Sequence, residues 1–135
     1  MEVVSEVRES EGAIMPSFSQ SSAAKLSTCD ERLQDLFNKV IEYRDCTILE
    51  GHRGKEAQNK AFMDGNSKKK WPNSNHNTIP SKAVDVMPYP INWDDMIRLN
   101  EFACFVEGVA AGMGIDVKWG GRWSNFFDGP HWEVS

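Results

Sequence analysis

No apolar run in these 135 residues approaches the roughly 20 that a bilayer-spanning helix needs, and the N-terminus lacks the basic stretch followed by an apolar one that marks a secretory leader. Membrane insertion is therefore not expected. Positive charge is also short, with 15 Lys and Arg against 20 Asp and Glu and a formal net charge of -5. Phosphate-backbone binding rests mainly on lysine and arginine, so a general nucleic-acid binder is excluded. The one basic run, Lys68, Lys69 and Lys70, reads as a solvated loop. Cysteine is scarce: Cys29, Cys46 and Cys104 are odd in number and have no paired spacing. That excludes a disulfide framework and a cysteine-rich structural metal site, and fits buried thiols in a reducing cytoplasm. Histidine is equally rare, at His52, His76 and His131.

With 40% apolar residues, the chain is long enough for one domain with a real core and too short for two. Residues 1 to 14 are acidic and without clear period, an N-terminal extension that reads equally as dispensable, as a helical arm or as a translation artefact, with Met15 as a second possible start. Residues 15 to 135 then form the single domain. Thr28, Cys29, Asp30 and Glu31 have the form of a capping box. Leu33, Leu36, Phe37, Val40 and Ile41 follow at helical spacing, predicting a core helix to about Arg44. Cys46 to Glu50 reads as a short buried strand that delivers Gly51, His52, Arg53 and Gly54 to an edge. Lys55 to Asp64 reads as a helix with Ala57, Ala61 and Phe62 on one side and Gly65 as its stop. Polar residues 66 to 80 form a long loop, a length that in compact domains often carries function. Ala83 to Met87 is a strand. Asn92 is expected to cap a longer helix whose buried face holds Met96, Ile97, Phe102, Phe105, Val106, Val109, Ala110 and Met113. Ile115 to Trp119 and His131 to Val134 are the remaining strands, and alternation puts His131 and Glu133 on one face and Trp132 and Val134 on the other.

Two of the scarce histidines stand in suggestive company. His76 precedes a proline-containing loop that leads into a strand carrying Asp85 among apolar neighbours, where a bare carboxylate is costly and needs a partner. His131 sits in the run Asp128, Gly129, Pro130, His131, Trp132, Glu133. Two imidazoles and one carboxylate suit a borderline-soft divalent ion such as Zn2+, and three protein ligands leave a fourth position for water, as in a catalytic site. A salt bridge from Asp85 to Arg53 is the alternative reading of that aspartate.

The set Glu50-Gly51-His52-Arg53-Gly54, Gln58, Ser74-Asn75-His76, Ala83-Val84-Asp85 and Asp128-Gly129-Pro130-His131-Trp132-Glu133 resembles the zinc peptidases of the D-alanyl-D-alanine carboxypeptidase superfamily. It is most similar to the phage L-alanyl-D-glutamate endopeptidases that serve as endolysins, and the loop from Asn77 to Lys82, with Pro80 and Ser81, looks like that branch. The resemblance covers nearly everything from Met15 to Val134. It implies an α+β fold, a small antiparallel sheet flanked by helices with the zinc site on the sheet. It implies that His76, Asp85 and His131 hold zinc, that Asp128 is the catalytic base and that Arg53 polarises the substrate.

Amide hydrolysis at neutral pH asks for such parts: an activated water, a carboxylate to shuttle its proton and a cation for the oxyanion. Glu133, on the face of His131, competes with Asp128 for the base, and Asp128 before Gly and Pro is a favourable turn residue in any protein. Gln58 orients Arg53 or holds substrate. Ser74 positions its loop or binds peptide. The tryptophans read as core or cleft wall; of them Trp119, Trp123 and Trp132, near the site in sequence, are candidates to line the substrate groove, with Trp132 taken as a substrate contact, and His52 has no assigned role. The function so implied is cleavage of the L-alanyl-D-glutamate bond of peptidoglycan stem peptides during host lysis, by a monomer. It waits in the host cytoplasm and reaches the wall once another protein permeabilises the membrane. With no separate wall-binding module, its cleft must find the polymer, which suits a thin wall. The alternatives are a D-alanyl-D-alanine carboxypeptidase and a non-catalytic zinc-containing peptidoglycan-binding module.

Overall fold

A computed structural model describes residues 16–135, and the expectation for residues 1 to 14 lies outside them. The chain is α+β: helices α1 (Gln20–Leu26), α2 (Glu31–Val40), α3 (Lys55–Met63) and α4 (Met96–Met113) accompany strands β1 (Cys46–Glu50), β2 (Ala83–Pro88), β3 (Lys118–Trp119) and β4 (His131–Glu133). The strands form one antiparallel sheet in the order β1-β2-β4-β3.

The core lies where the predicted apolar stripe of α2 meets one face of the sheet. Leu33, Leu36, Phe37 and Val40 are buried there with Ile48, Val84, Val86 and Trp132. Phe37 meets the Trp132 ring edge-on at 6.0 Å, and Trp119 stacks on Trp132 at 5.9 Å. Helix α4 contributes Leu99, Phe102, Ala103, Val106 and Ala110. Of its predicted face, Phe102, Val106 and Ala110 are buried and Phe105 and Val109 partly so, while Met96, Ile97 and Met113, at the two ends of the helix, are exposed, Ile97 at 86%. The helix also starts later than expected. Asp95, not Asn92, caps α4 by accepting from the Arg98 amide, while Asn92 accepts from Asp94 in the turn before it.

A similar shift occurs at α2. Asp30 is its cap, accepting from the Arg32 amide at 2.9 Å, so the expected Thr28 box does not form. The Thr28 hydroxyl instead donates to Lys25 and accepts from the His52 amide. Helix α2 also ends at Val40, with turns carrying the chain to Arg44. Helix α1 had no apolar period to announce it. Its Ser22 hydroxyl accepts from the Ile48 amide at 3.0 Å, satisfying a donor on edge strand β1. Helix α3 and its Gly65 stop, at φ 81°, are where the sequence put them, but Ala57 is exposed and the buried residue is Gln58. Strand β3 is two residues long instead of five. Cys29 and Cys46 are buried thiols, and Cys104 is exposed.

Candidate metal centre and catalytic groove

Sheet register builds the site. Across β1 and β2 Glu50 pairs with Asp85, and across β2 and β4 Asp85 pairs with His131, so three charged or ligating side chains stand in a row over adjacent strands. A register shift between Ile48 and Glu50 turns the end of β1 toward that row. His76 arrives from a single 3-10 turn, Asn75–Asn77, whose ends are closed by a reciprocal cap. The His76 amide donates to Ser74 Oγ at 3.1 Å, and the Ser74 amide donates to Asn77 Oδ1 at 3.0 Å. That turn is then tied to the chain after β1: the Arg53 amide donates to the His76 carbonyl at 2.7 Å, and Asn77 Nδ2 donates to the Arg53 carbonyl at 2.9 Å.

Each imidazole is fixed by the partner of its outer nitrogen. His76 Nδ1 lies 2.8 Å from the Gly51 carbonyl, an acceptor only, so Nδ1 carries the proton and Nε2 the lone pair. His131 Nε2 lies 2.7 Å from Glu133 Oε1, which leaves Nδ1 as its free nitrogen. Both free nitrogens face one oxygen, Asp85 Oδ1, at 3.3 and 3.4 Å. The three candidate ligand atoms lie within 4.8 Å of one another. His76 Nε2 and Asp85 Oδ1 are buried without a hydrogen-bond partner. Three lone pairs aimed at one point repel each other unless a cation occupies it, and this donor set fits a divalent metal ion.

The electrostatics agree. Burial raises the Asp85 carboxyl, but the imidazoles of His131 and His76 outweigh it and hold it well below the usual carboxylate range. Burial lowers the His131 imidazole, yet Asp85 and Glu133 bring it up to about 9, so this point in the fold favours positive charge. Glu133 is held low, chiefly by its hydrogen bond to His131.

Around the centre stand two further groups. Asp128 Oδ2 is 3.8 Å from His131 Nδ1, on the free-nitrogen side. Its carboxyl is raised by burial and by the charge of Asp85, against the pull of His131, His76 and Arg53. The turn that carries it is pinned by Trp119 Nε1, which donates to the Gly129 carbonyl at 2.7 Å. Gly120 packs so closely here that a Cβ would collide with the Asp128 carbonyl and crowd His131. Arg53 reaches Asp85 through the other carboxylate oxygen, Nη2 to Oδ2 at 3.5 Å, and Nη1 donates to Gln58 Oε1 at 2.9 Å. The two readings of Asp85 are thus compatible, one oxygen for each. All these groups open onto a groove of about 1320 Å³.

His76, Asp85, His131, Asp128, Arg53 and Ser74 are therefore brought together at this groove. Trp132, Trp119 and Gln58 do not line it. Trp132 is 1% exposed and packs into the core, because on a strand the neighbour of an inward-facing site residue points to the opposite face. Trp119 is buried beside it. Gln58 is 0% exposed, and its amide hydrogen-bonds with Arg53, Asn77, Ser67 and Lys69. Trp123 does line the groove, its ring 5.0 Å from that of His131. The sequence reading missed the Gly51 carbonyl and Asn77, although Asn77 lies at the third helical position after Ser74, where a capping partner is looked for. Lys68 and Lys69 are exposed, as the solvated-loop reading expects, and both also line the groove.

The family model for phage L-alanyl-D-glutamate peptidases matches residues 15–134. Among solved structures, the crystal structure of the Serratia marcescens L-Ala D-Glu endopeptidase ChiX aligns with a TM-score of 0.74 and 27% identity, over 87% of this chain and 89% of that one. The matched span takes in every residue of the centre just described, and the chain belongs to the phage L-alanyl-D-glutamate peptidase family.

Proposed function

We propose that this chain is a zinc endopeptidase that hydrolyses the L-alanyl-D-glutamate bond of peptidoglycan stem peptides and acts as a phage endolysin. The observation that carries the reading is the convergence of His76 Nε2, His131 Nδ1 and Asp85 Oδ1, two of them buried and unpartnered, at a groove of about 1320 Å³. Family membership and the likeness to the Serratia endopeptidase support the choice of bond.

His76, Asp85 and His131 are the ligands, a set that suits an open catalytic zinc site better than a closed structural one. Bound zinc supplies a Lewis acid for the scissile carbonyl and lowers the pKa of water toward about 7. Asp128, its carboxyl raised by burial, takes the proton of the attacking water and passes it to the departing amine. Glu133 is engaged with His131 and so orients a ligand, leaving the base to Asp128. Arg53, steadied by Gln58, offsets the negative charge that develops on the carbonyl oxygen. Ser74 shapes the ligand loop, and Trp123 is a groove wall. The enzyme works as a monomer, held in the host cytoplasm until the membrane is permeabilised.

Digestion of purified peptidoglycan, with products resolved by mass spectrometry, tests this. A new N-terminal glutamate is expected, and release of free D-alanine would instead mean a carboxypeptidase. Asp128→Ala should lower turnover by about 10²–10⁴-fold with zinc still bound, and His131→Ala should lose the zinc. Wall clearing that survives both substitutions overturns the proposal.

A further inference from the structure

The groove has a charge pattern that the chemistry above does not use. Its floor is acidic, with Glu50, Asp85, Asp128 and Glu133, and its cations are Arg53, Lys60, Lys68 and Lys69. Arg53 is committed to Gln58 and Asp85, and Lys60 is held by Asp64 at 2.6 Å. Lys68 and Lys69 remain, and among the described residues neither has a salt-bridge partner.

Both lysines are nonetheless positioned. Lys68 Nζ stands 5.2 Å from the centroid of the Phe126 ring, a contact that orients an ammonium without neutralising it. The Lys69 carbonyl accepts from Gln58 Nε2 at 2.6 Å, and its amide donates to Ser67 Oγ at 3.1 Å. Gln58 is the same buried amide whose oxygen receives Arg53. One side chain thus fixes the guanidinium beside Asp85 and the backbone of the lysine pair in a common frame.

We propose that Lys68 and Lys69 form a carboxylate-reading subsite for the residue on the departing-amine side of the scissile bond. The inference rests on the endopeptidase reading given above. Glutamate carries two carboxyl groups, and whichever one continues the chain, the other is left free beside the scissile nitrogen. Unless amidated, it is an anion entering a groove with an acidic floor, in a chain of net charge -5. These exposed ammonium groups, neither held in a salt bridge although Lys69 already acts on Glu133, supply the opposing charge, and a carboxamide of the same shape gains nothing from them. The pair therefore discriminates between stem peptides with a free and an amidated glutamate.

Two synthetic stem peptides, identical except for carboxylate or carboxamide at that position, test the subsite with the zinc-loaded enzyme and its Lys68→Ala/Lys69→Ala form. The wild type should favour the carboxylate by about tenfold in kcat/KM, mostly through KM, and should lose part of that preference at high ionic strength. The double variant should fall toward equality by losing rate on the carboxylate peptide alone, and Lys68→Arg/Lys69→Arg should keep the preference. Equal turnover of both peptides by the wild type, or a double variant that slows both in proportion, overturns the subsite and leaves the endopeptidase standing. Failure of the wild type to cut either peptide overturns the endopeptidase reading, and the subsite falls with it.

Discussion

The 2.7 Å contact between Glu133 Oε1 and His131 Nε2 decides which nitrogen of that ring faces Asp85. Outer partners of this kind hold a ligand's tautomer and orientation, and their loss typically costs about 10–100-fold in metal affinity. Glu133→Gln should weaken zinc binding by that order in a chelator competition assay, and an unchanged affinity would mean that packing against Trp123 sets the ring alone. Much at this scale was legible beforehand. An aspartate inside an apolar strand needs a partner, and with so few histidines in the chain the candidates for it were few. What could not be read was who touches whom. Alternation gave Glu133 and His131 a common face but left Glu133 open as a base, and Trp132 was assigned to substrate by its nearness in sequence to His131. A strand sends consecutive side chains to opposite faces, so that nearness put Trp132 in the core.

Helix α3 illustrates the next scale. Its buried residue is an amide, and Gln58 joins the helix to Arg53, to the His76 turn through Asn77, and to the loop carrying Lys69. Gln58→Leu leaves these partners unsatisfied in a buried place. It should cost about 1–3 kcal/mol in denaturant unfolding. It should also lower kcat by roughly 10–100-fold while zinc content is retained, since the Arg53 guanidinium, the proposed oxyanion partner, loses its rest. Helix α1 makes a smaller prediction of the same type. Ser22→Ala strips the acceptor from the Ile48 amide and should destabilise the protein by about 1 kcal/mol in the same assay. Elements with strong periods, α2 and β2, were legible with their buried residues. Helix α1 was not, because it is held by a hydroxyl on a strand edge instead of an apolar stripe. The caps of α2 and α4 lie two and three residues beyond the expected ones because each start offers several capping side chains, Thr28 and Asp30 before α2 and Asn92, Asp94 and Asp95 before α4.

At the scale of the whole molecule, core and centre share one sheet: Val84, Val86 and Trp132 face the helices, while Asp85 and His131 alternate with them on the other side. Removing the metal should therefore be felt as stability as well as activity. At free zinc about a thousandfold above its dissociation constant, binding contributes about 4 kcal/mol, so chelation should lower the melting temperature by roughly 10 °C and zinc should restore it. A melting temperature indifferent to chelation and zinc would mean that the cluster binds no metal in solution. From the sequence by itself came the apolar stripe of α2, the strands β1 and β2 and, with the family resemblance, the α+β class and the three candidate ligating side chains, because period and the chemistry of single residues are local. Only the tertiary structure decided that Asp85 divides its oxygens between the imidazoles and Arg53, that Gln58 is a buried hub, and that Lys68 and Lys69 face the groove. Those are relations between segments distant along the chain, fixed by strand register and by hydrogen bonds that no local pattern encodes.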